Sequence, residues 1–342
     1  MVWASRIYEH REINDAGRTL VNSAATSAET NDALQIINNF RAAHSFPLNT
    51  FQVTLRKYAR RIDRSALVAQ RIKRLSSIQD KLRRYPHMEL AQMQDVGGCR
   101  AVVTNIDHVR ALYRAYDTSR IKHGRVRVKD YIAYPKASGY RAIHLVYRYR
   151  SDRSAKFKNT QIEIQLRSRD QHAWATAVET VGTMLSQALK SSRGEEQWLR
   201  FFALAASAIA LKEGTPLVPN TPQNKDELIS ELRESTNALK VDARLKAYSG
   251  ILQNLERKVR KNPRYFLLEV DIANRQTKIS QFQFNELEKA TNQYLDVEKS
   301  LSDSDGEAVL VSVESLKSLR AAYPSYFFDT RSFLKILSSL TE

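Results

Sequence analysis

The chain of 342 residues contains one cysteine, Cys99. A single thiol excludes an intrachain disulfide framework and a cysteine-rich zinc site. Cys99 lies in an apolar stretch and reads as a small core residue. Long hydrophobic runs are also missing. The longest, Phe201 to Leu211, falls short of the roughly 20 apolar residues that a membrane-spanning helix needs. The start, MVWASRIYEHRE, turns charged at once, so no signal peptide is expected, and the expectation is a cytoplasmic protein with no membrane partner. Neither a Walker loop nor a dinucleotide fingerprint occurs, so any nucleotide chemistry uses another design. Acidic residues are scarce: 37 Asp and Glu stand against 54 Lys and Arg, a formal net charge of +17. Such a field favours a polyanionic partner, either nucleotides or nucleic acid, over a merely basic soluble protein.

Hydrophobic residues at 42% and charged residues at 27% are ordinary for a globular chain, and the length suffices for two or three domains. Helical spacing appears first, at Leu34, Ile37 and Phe40. Residues 51–84 are expected to continue as helix, with Leu55, Tyr58, Ile62 and then Leu75, Ile78, Leu82 as apolar stripes. The opposite face is crowded with Arg and Lys, a density that calls for an anionic partner. Residues 86–168 change to strand period in GGCRAVV, VRVKDYIAY, AIHLVYRYR and QIEIQLRS, with a helix from Asp107 to Tyr116. Helices return at HAWATAVETVGTMLSQAL and EEQWLRFFALAASAIALKEG, followed by a proline-rich loop and a long polar helix from Lys225 to about Lys261. Asn262-Pro263 reads as a boundary. Beyond it a hairpin around Asn274, a helix, a strand and two helices form a small module. Between Asn285 and Glu314 that module carries eight acids against Lys289 and Lys299, opposite in sign to the N-terminal half. The expected fold class is therefore α/β (α+β): a mixed β-sheet flanked by helices over 1–190, a helical extension or linker over 191–261, and a small C-terminal α+β module over 262–342.

The strand at 161–168 puts Ile162, Ile164 and Leu166 on one face and Glu163, Gln165 and Arg167 on the other. The flanking helices are apolar enough to cover both faces, and a covered polar row reads as a site. Asp95 stands before Gly97-Gly98 at the entry to another strand, where it is either a structural ion-pair partner or, with Glu163, a pair of carboxylates able to hold Mg²⁺ alongside phosphate oxygens. Tyr140, on a loop with Gly139, either stacks on a base or packs on the sheet. His144 either contacts phosphate or is a satisfied strand histidine, while His172 and Trp174 read as structural.

Four segments, RIKRLSSIQDKLRR, QDVGGCRAVV, RVKDYIAYPKASGYRAIH and EIQLRSRDQHAW, together resemble the synthetase domain of the RelA/SpoT alarmone family, in family order and over roughly residues 35–190. The resemblance implies a nucleotidyltransferase-like sheet and transfer of pyrophosphate from ATP to a ribose 3′-hydroxyl. It implies Asp95 as Mg²⁺ ligand, Glu163 as second metal ligand or base, and Arg71, Lys73, Lys81 and Arg100 as the ATP grip. Tyr140 becomes the acceptor-base stacker, and Lys129, Lys136, His144, Gln165 and Arg167 line the acceptor side. No His-Asp dipeptide occurs, so the family's hydrolase domain is not expected. The C-terminal module, with Tyr323-Pro324-Ser325-Tyr326, resembles the pseudo-zinc-finger antitoxin domain of fused CapRel-type phage-defence members. In that group the Tyr pair occupies the adenine pocket until a phage capsid protein engages the module, and the toxin half acts on the tRNA 3′ end. The other reading of Tyr323 and Tyr326 is helix-end core tyrosines. The acceptor expected is the tRNA 3′ end, with GDP or GTP as the alternative.

Overall fold

The computed structural model describes residues 3–151, 155–188, 193–249, 253–256, 263–271, 276–301 and 306–342. Three helices open the chain: α1 (His10–Val21), α2 (Ser27–Ala43) and α3 (Ser45–Ile62). Thr26 starts α2 through a capping box, its hydroxyl accepting from Glu29 N–H while the Glu29 carboxylate accepts from Thr26 N–H, which satisfies two otherwise orphaned groups. The expected continuation of helix through residue 84 is not what forms. Helix α3 stops at Ile62, strand β1 (Leu67–Ile72) follows, and only then α4 (Leu75–Arg84). The cause is Asp63. One carboxylate oxygen accepts from the Ser65 N–H and hydroxyl, the other from the Thr104 N–H and hydroxyl. This turns the chain and ties the end of α3 to the strand that precedes Thr104.

That strand is β2 (Gly97–Val103). After it come α5 (Ile106–Asp117), β3 (Gly124–Asp130), β4 (Ile143–Arg148), β5 (Gln161–Ser168), α6 (Arg169–Ala188) and α7 (Arg193–Lys212). The long polar helix expected from Lys225 is two helices, α8 (Lys225–Ala238) and α9 (Val241–Ser249). They part at Lys240, whose φ of 49° lies in the left-handed region, where a helix ends. Strand β6 (Gln253–Glu256), β7 (Tyr265–Asp271), β8 (Gln276–Phe282), α10 (Leu287–Ser300), β9 (Glu307–Ser312), α11 (Leu316–Ala322) and α12 (Arg331–Thr341) complete the chain. Asn262, half of the expected boundary, and the hairpin turn around Asn274 lie outside the described residues.

Among the described residues the strands form one mixed sheet in the order β3-β4-β5-β2-β1-β9-β7-β8-β6. Strands β2 and β5 run parallel. The C-terminal strands join the N-terminal ones through β1 and β9, with Gln70 opposite Ser312 and Arg71 opposite Val311. Ile162, Ile164 and Leu166 of β5 are fully buried against α3 and α5, as the alternation requires. The other face looks toward α6. Helices α6 to α9 share a core with α12, in which Phe333 and Leu337 are buried beside Phe201 and Phe202. A third core joins Ala69 of β1 and Met184 of α6 to the C-terminal strands and to Tyr323, Tyr326 and Phe328. Among the described residues no helix is long and apolar enough to cross a membrane.

Candidate active site

The polar row of β5 meets matching rows on its neighbours. Register places Glu163 opposite Gly98 and Gln165 opposite Arg100 of β2, Arg71 of β1 opposite Gly98, and His144 of β4 opposite Gln165. Period two therefore aims Arg71, Arg100, Glu163, Gln165 and His144 at one face, across four strands. A Cβ added to Gly98 would come no closer than 3.9 Å to any atom, the carbonyl of Glu163, so the floor between the strands is open.

Glu163 is held from both sides. His144 Nδ1 lies 2.8 Å from one carboxylate oxygen, and Gln165 Nε2 donates to the other at 2.7 Å. The nitrogen facing the carboxylate carries the proton, so His144 Nε2 is the acceptor for the Tyr140 hydroxyl at 2.6 Å. Arg167 donates to the same hydroxyl at 2.7 Å, and its guanidinium lies 5.0 Å from the Tyr140 ring centroid. Gln165 Oε1 accepts from Arg100 Nε at 3.3 Å. Burial pushes the Glu163 carboxyl up, but His144 and Gln165 more than offset it and hold it below the usual carboxylate range.

Asp95, on the segment entering β2, receives Lys73 Nζ at 2.9 Å and Lys81 Nζ at 2.8 Å on its two oxygens. The ion-pair partners are these lysines and not the neighbouring Arg100. Burial raises the Asp95 carboxyl; the two ammoniums outweigh it and keep it ionised. Arg100 is crowded by Arg167 and Arg71, and burial with that repulsion pulls it down to about 10.

Lys129 and Lys136 stand farther out. Their ammoniums lie 5.8 Å and 4.4 Å from the Tyr131 ring centroid, and Tyr131 packs edge-on against Tyr140 and His144. Tyr131 joins this candidate site and was missed by the sequence reading; its only signal was a second aromatic in the strand-loop run. The loop is pinned by Gly139, whose φ is +84° and whose missing Cβ would sit 2.8 Å from Ala206 and 3.0 Å from Trp174. Any other residue there would push Tyr140 off α6 and α7. Trp174 donates to the Phe202 carbonyl at 2.9 Å, and buried His172 lies 3.2 Å from the Ala321 carbonyl. Both are buried.

Tyr323 and Tyr326 complete the enclosure. Tyr323 lines the same cavity as Arg71, Lys73, Asp95, Arg100 and Glu163, and the space left is only about 60 Å³. Tyr326 accepts from Arg71 at 3.1 Å, and Arg74 lies 5.9 Å from its ring centroid. Burial pushes the Tyr323 hydroxyl up to about 12, against the pull of Arg71 and Arg100. The tyrosines thus sit in a core and against the cationic site at once. The acids of the module engage the N-terminal half as well: Glu298 pairs with Arg41, Glu307 with Arg74, and Glu314 with Arg56 and Arg60. The sequence suggested this attraction by sign but did not identify Arg41, a guanidinium on the buried face of α2 beside Ile37 and Phe40.

Residues 70–181 match the model of a region found in RelA and SpoT proteins. Over 111 residues the chain is 35% identical to the GTP pyrophosphokinase YjbM of Bacillus subtilis strain 168, covering 32% of this chain and 52% of that protein. Over 114 residues it is 30% identical to the GTP pyrophosphokinase YwaC of the same organism, covering 31% and 52%. The chain thus spans about half the length of the curated relatives it matches. A crystal structure of small alarmone synthetase 1 from Bacillus subtilis bound to its product pppGpp aligns with a TM-score of 0.43 at 24% identity, over 50% of this chain and 91% of that one.

Proposed function

We propose that this chain is an ATP-dependent pyrophosphokinase whose acceptor is a ribose 3′-hydroxyl, and that the conformation described is its off state. One observation carries the reading: two ionised carboxylates, Asp95 and Glu163, line a single cavity with Arg71, Lys73 and Arg100, and Tyr323 reduces that cavity to about 60 Å³. Pockets for molecules of nucleotide size run to about 300–1,000 Å³, so ATP enters only when Tyr323 and Tyr326 withdraw.

The donor set fits Mg²⁺. Two hard carboxylates that leave the other positions to phosphate oxygens suit that ion better than a cage of protein ligands, and among the described residues no group of three or more His, Cys, Asp or Glu forms such a cage. Asp95 and Glu163 would hold it, and when bound it neutralises charge on the phosphates. The remaining steps belong to the chain. Arg71 and Arg100 bind the triphosphate, and Lys73 and Lys81 turn from Asp95 to its phosphates. The acceptor oxygen attacks the β-phosphorus, the bond from that phosphorus to the oxygen bridging it to the α-phosphate breaks, and AMP leaves. The hydroxyl proton passes to Glu163, which His144 and Gln165 keep in place. Tyr140 and Tyr131, with Lys129, Lys136 and Arg167 around them, receive the acceptor's base and phosphates.

The acceptor we favour is the tRNA 3′ end, so that the released enzyme blocks translation as a toxin, with the C-terminal module as its built-in antitoxin and a phage protein, a capsid protein by resemblance, as the trigger. The module's contacts with the cationic site support the autoinhibited form of this reading. The likeness to two proteins named GTP pyrophosphokinase favours a second acceptor, GDP or GTP. The test is the Tyr323→Ala, Tyr326→Ala chain given ATP labelled in the γ-phosphate, with tRNA in one tube and GDP in another. Label at the tRNA 3′ end is expected. Label in the guanosine nucleotide alone selects the second acceptor, and label in neither refutes the enzyme assignment.

A further inference from the structure

Five of the eleven basic residues over 56–84 are spoken for. Arg56, Arg60, Lys73, Arg74 and Lys81 all have carboxylate partners. A different group of cations has no carboxylate partner among the described residues. A cleft of about 340 Å³ opens at the end of the sheet where β4 finishes and β5 begins, between the segment before α1, the C-terminal turn of α2 and the connection 156–160. Arg6, His10, Arg148, Lys156 and Lys158 stand around it, and among the described residues no Asp or Glu lines it. Arg6, Arg148, Lys156 and Lys158 are all exposed. The cleft is several times larger than the space left in the carboxylate site, and within the range of small-molecule pockets, about 300–1,000 Å³.

The floor differs from the rim. His44, only 3% exposed, lines the cleft. Its Nδ1 lies 2.7 Å from the Phe40 carbonyl, so that nitrogen donates and Nε2 keeps a free lone pair. Cations on the rim and an acceptor on the floor complement a phosphate carried on a sugar that also bears a hydroxyl. We propose that this cleft is a second anion site, which binds the phosphate esters of ribonucleotides, whether free nucleotides or the backbone of an RNA strand. The site also adjoins the candidate catalytic segment. Met93 lines the cleft, two residues before Asp95, and a Cβ on Gly97 would sit 3.2 Å from His44 Cβ. A ligand in the cleft therefore bears on the segment that carries Asp95. The assignment does not depend on the transfer chemistry.

The test is fluorescence anisotropy on the full chain with two probes, a labelled single-stranded RNA 12-mer and a fluorescent GTP. The variant is Arg148→Glu with Lys158→Glu, both exposed and outside the carboxylate network; Arg6→Glu, on a separate segment, is the second. Thermal melts establish that both are folded. Binding of at least one probe should weaken tenfold or more at 0.1 M salt in each variant. For RNA, the slope of log K against log salt should flatten by about 1.4 in the double variant, two contacts at about 0.7 each. Loss confined to RNA identifies the strand as the ligand, and loss confined to GTP identifies the free nucleotide. If wild type binds neither probe, or the folded variants bind both as wild type does, the proposal is overturned.

Discussion

Glu298→Ala tests whether the C-terminal module holds the site shut, without touching the site. Glu298 is 15% exposed and faces Arg41, which is 2% exposed, with Oε2 to NH1 at 2.8 Å. Its Oε1 accepts from Tyr294 OH at 2.5 Å, from Arg41 NH2 at 3.2 Å and from the Leu75 N–H at the start of α4 at 2.9 Å. Helix α4 carries Lys81, so this carboxylate joins α10 to an element of the candidate ATP grip. Removing one partner of a buried pair costs about 3–5 kcal/mol, because the other charge stays desolvated. The partial exposure of Glu298 places this case at the low end, about 3 kcal/mol. That penalty exists only while the module is docked, since undocking returns Arg41 to water. At 1.4 kcal/mol per decade, the docked-to-undocked ratio should fall on the order of 100-fold. The apparent ATP dissociation constant should fall by up to the same factor, as the competent fraction rises. Isothermal titration of the full-length variant with ATP measures it. A variant that melts earlier than wild type yet binds ATP within threefold of it would falsify the latch, since Glu298 would then be structural only.

Four further outcomes are expected. Tyr323→Ala with Tyr326→Ala should open the cavity and confer toxicity on cells expressing the full chain; a folded, harmless variant that still fails to bind ATP would sink the plug. Glu163→Gln in that opened background should cut transfer by about 10²–10⁴-fold, the usual worth of a positioned base; rapid quench with labelled ATP decides, and near-normal transfer removes Glu163 from the proton path. Tyr140→Ala should raise the acceptor KM by the loss of stacking, about 1–3 kcal/mol, whereas Tyr140→Phe should keep most of the affinity; equal damage from both would argue for the hydroxyl network instead. Stability should fall between pH 6.5 and 4.5. Burial, reinforced by Arg100 and Arg167, pulls His172 down to about 3; burial, opposed by the Phe40 carbonyl and aided by Arg6, pulls His44 to about 4. In that window the unfolded chain binds protons that the folded chain does not, so stability rises with pH, by a few kcal/mol for the two together. Urea titrations at pH 5 and 7.5 should show this, and His172→Asn with His44→Gln should flatten it.

Much of the site could be read from the sequence because it depends on short-range geometry. Alternation over 161–168 separates Glu163, Gln165 and Arg167 from the buried isoleucines wherever the strand lies, and Gly139 marks the loop that presents Tyr140. The same pattern reading failed at 67–72. LVAQRI is short enough to suit a helix or a strand, and its identity came from pairing with β2 on one side and β9 on the other. The helix expected through 225–261 failed for a similar reason: its polar spacing carries no sign of the left-handed Lys240.

What the sequence determined by itself was the set of chemical groups and their order along each strand: two carboxylates, the guanidiniums and lysines, the Gly-Tyr loop, and an acidic module of opposite sign. What only the tertiary structure decided was which groups meet. Lys73 and Lys81 close on Asp95, His144 joins Tyr140 to Glu163, Glu298 finds Arg41 257 residues away, and Tyr323 fills the space beside Glu163. The physical reason is that residue spacing governs only neighbours within an element, whereas pairing across a sheet and burial of a charge depend on which surfaces the whole chain brings together.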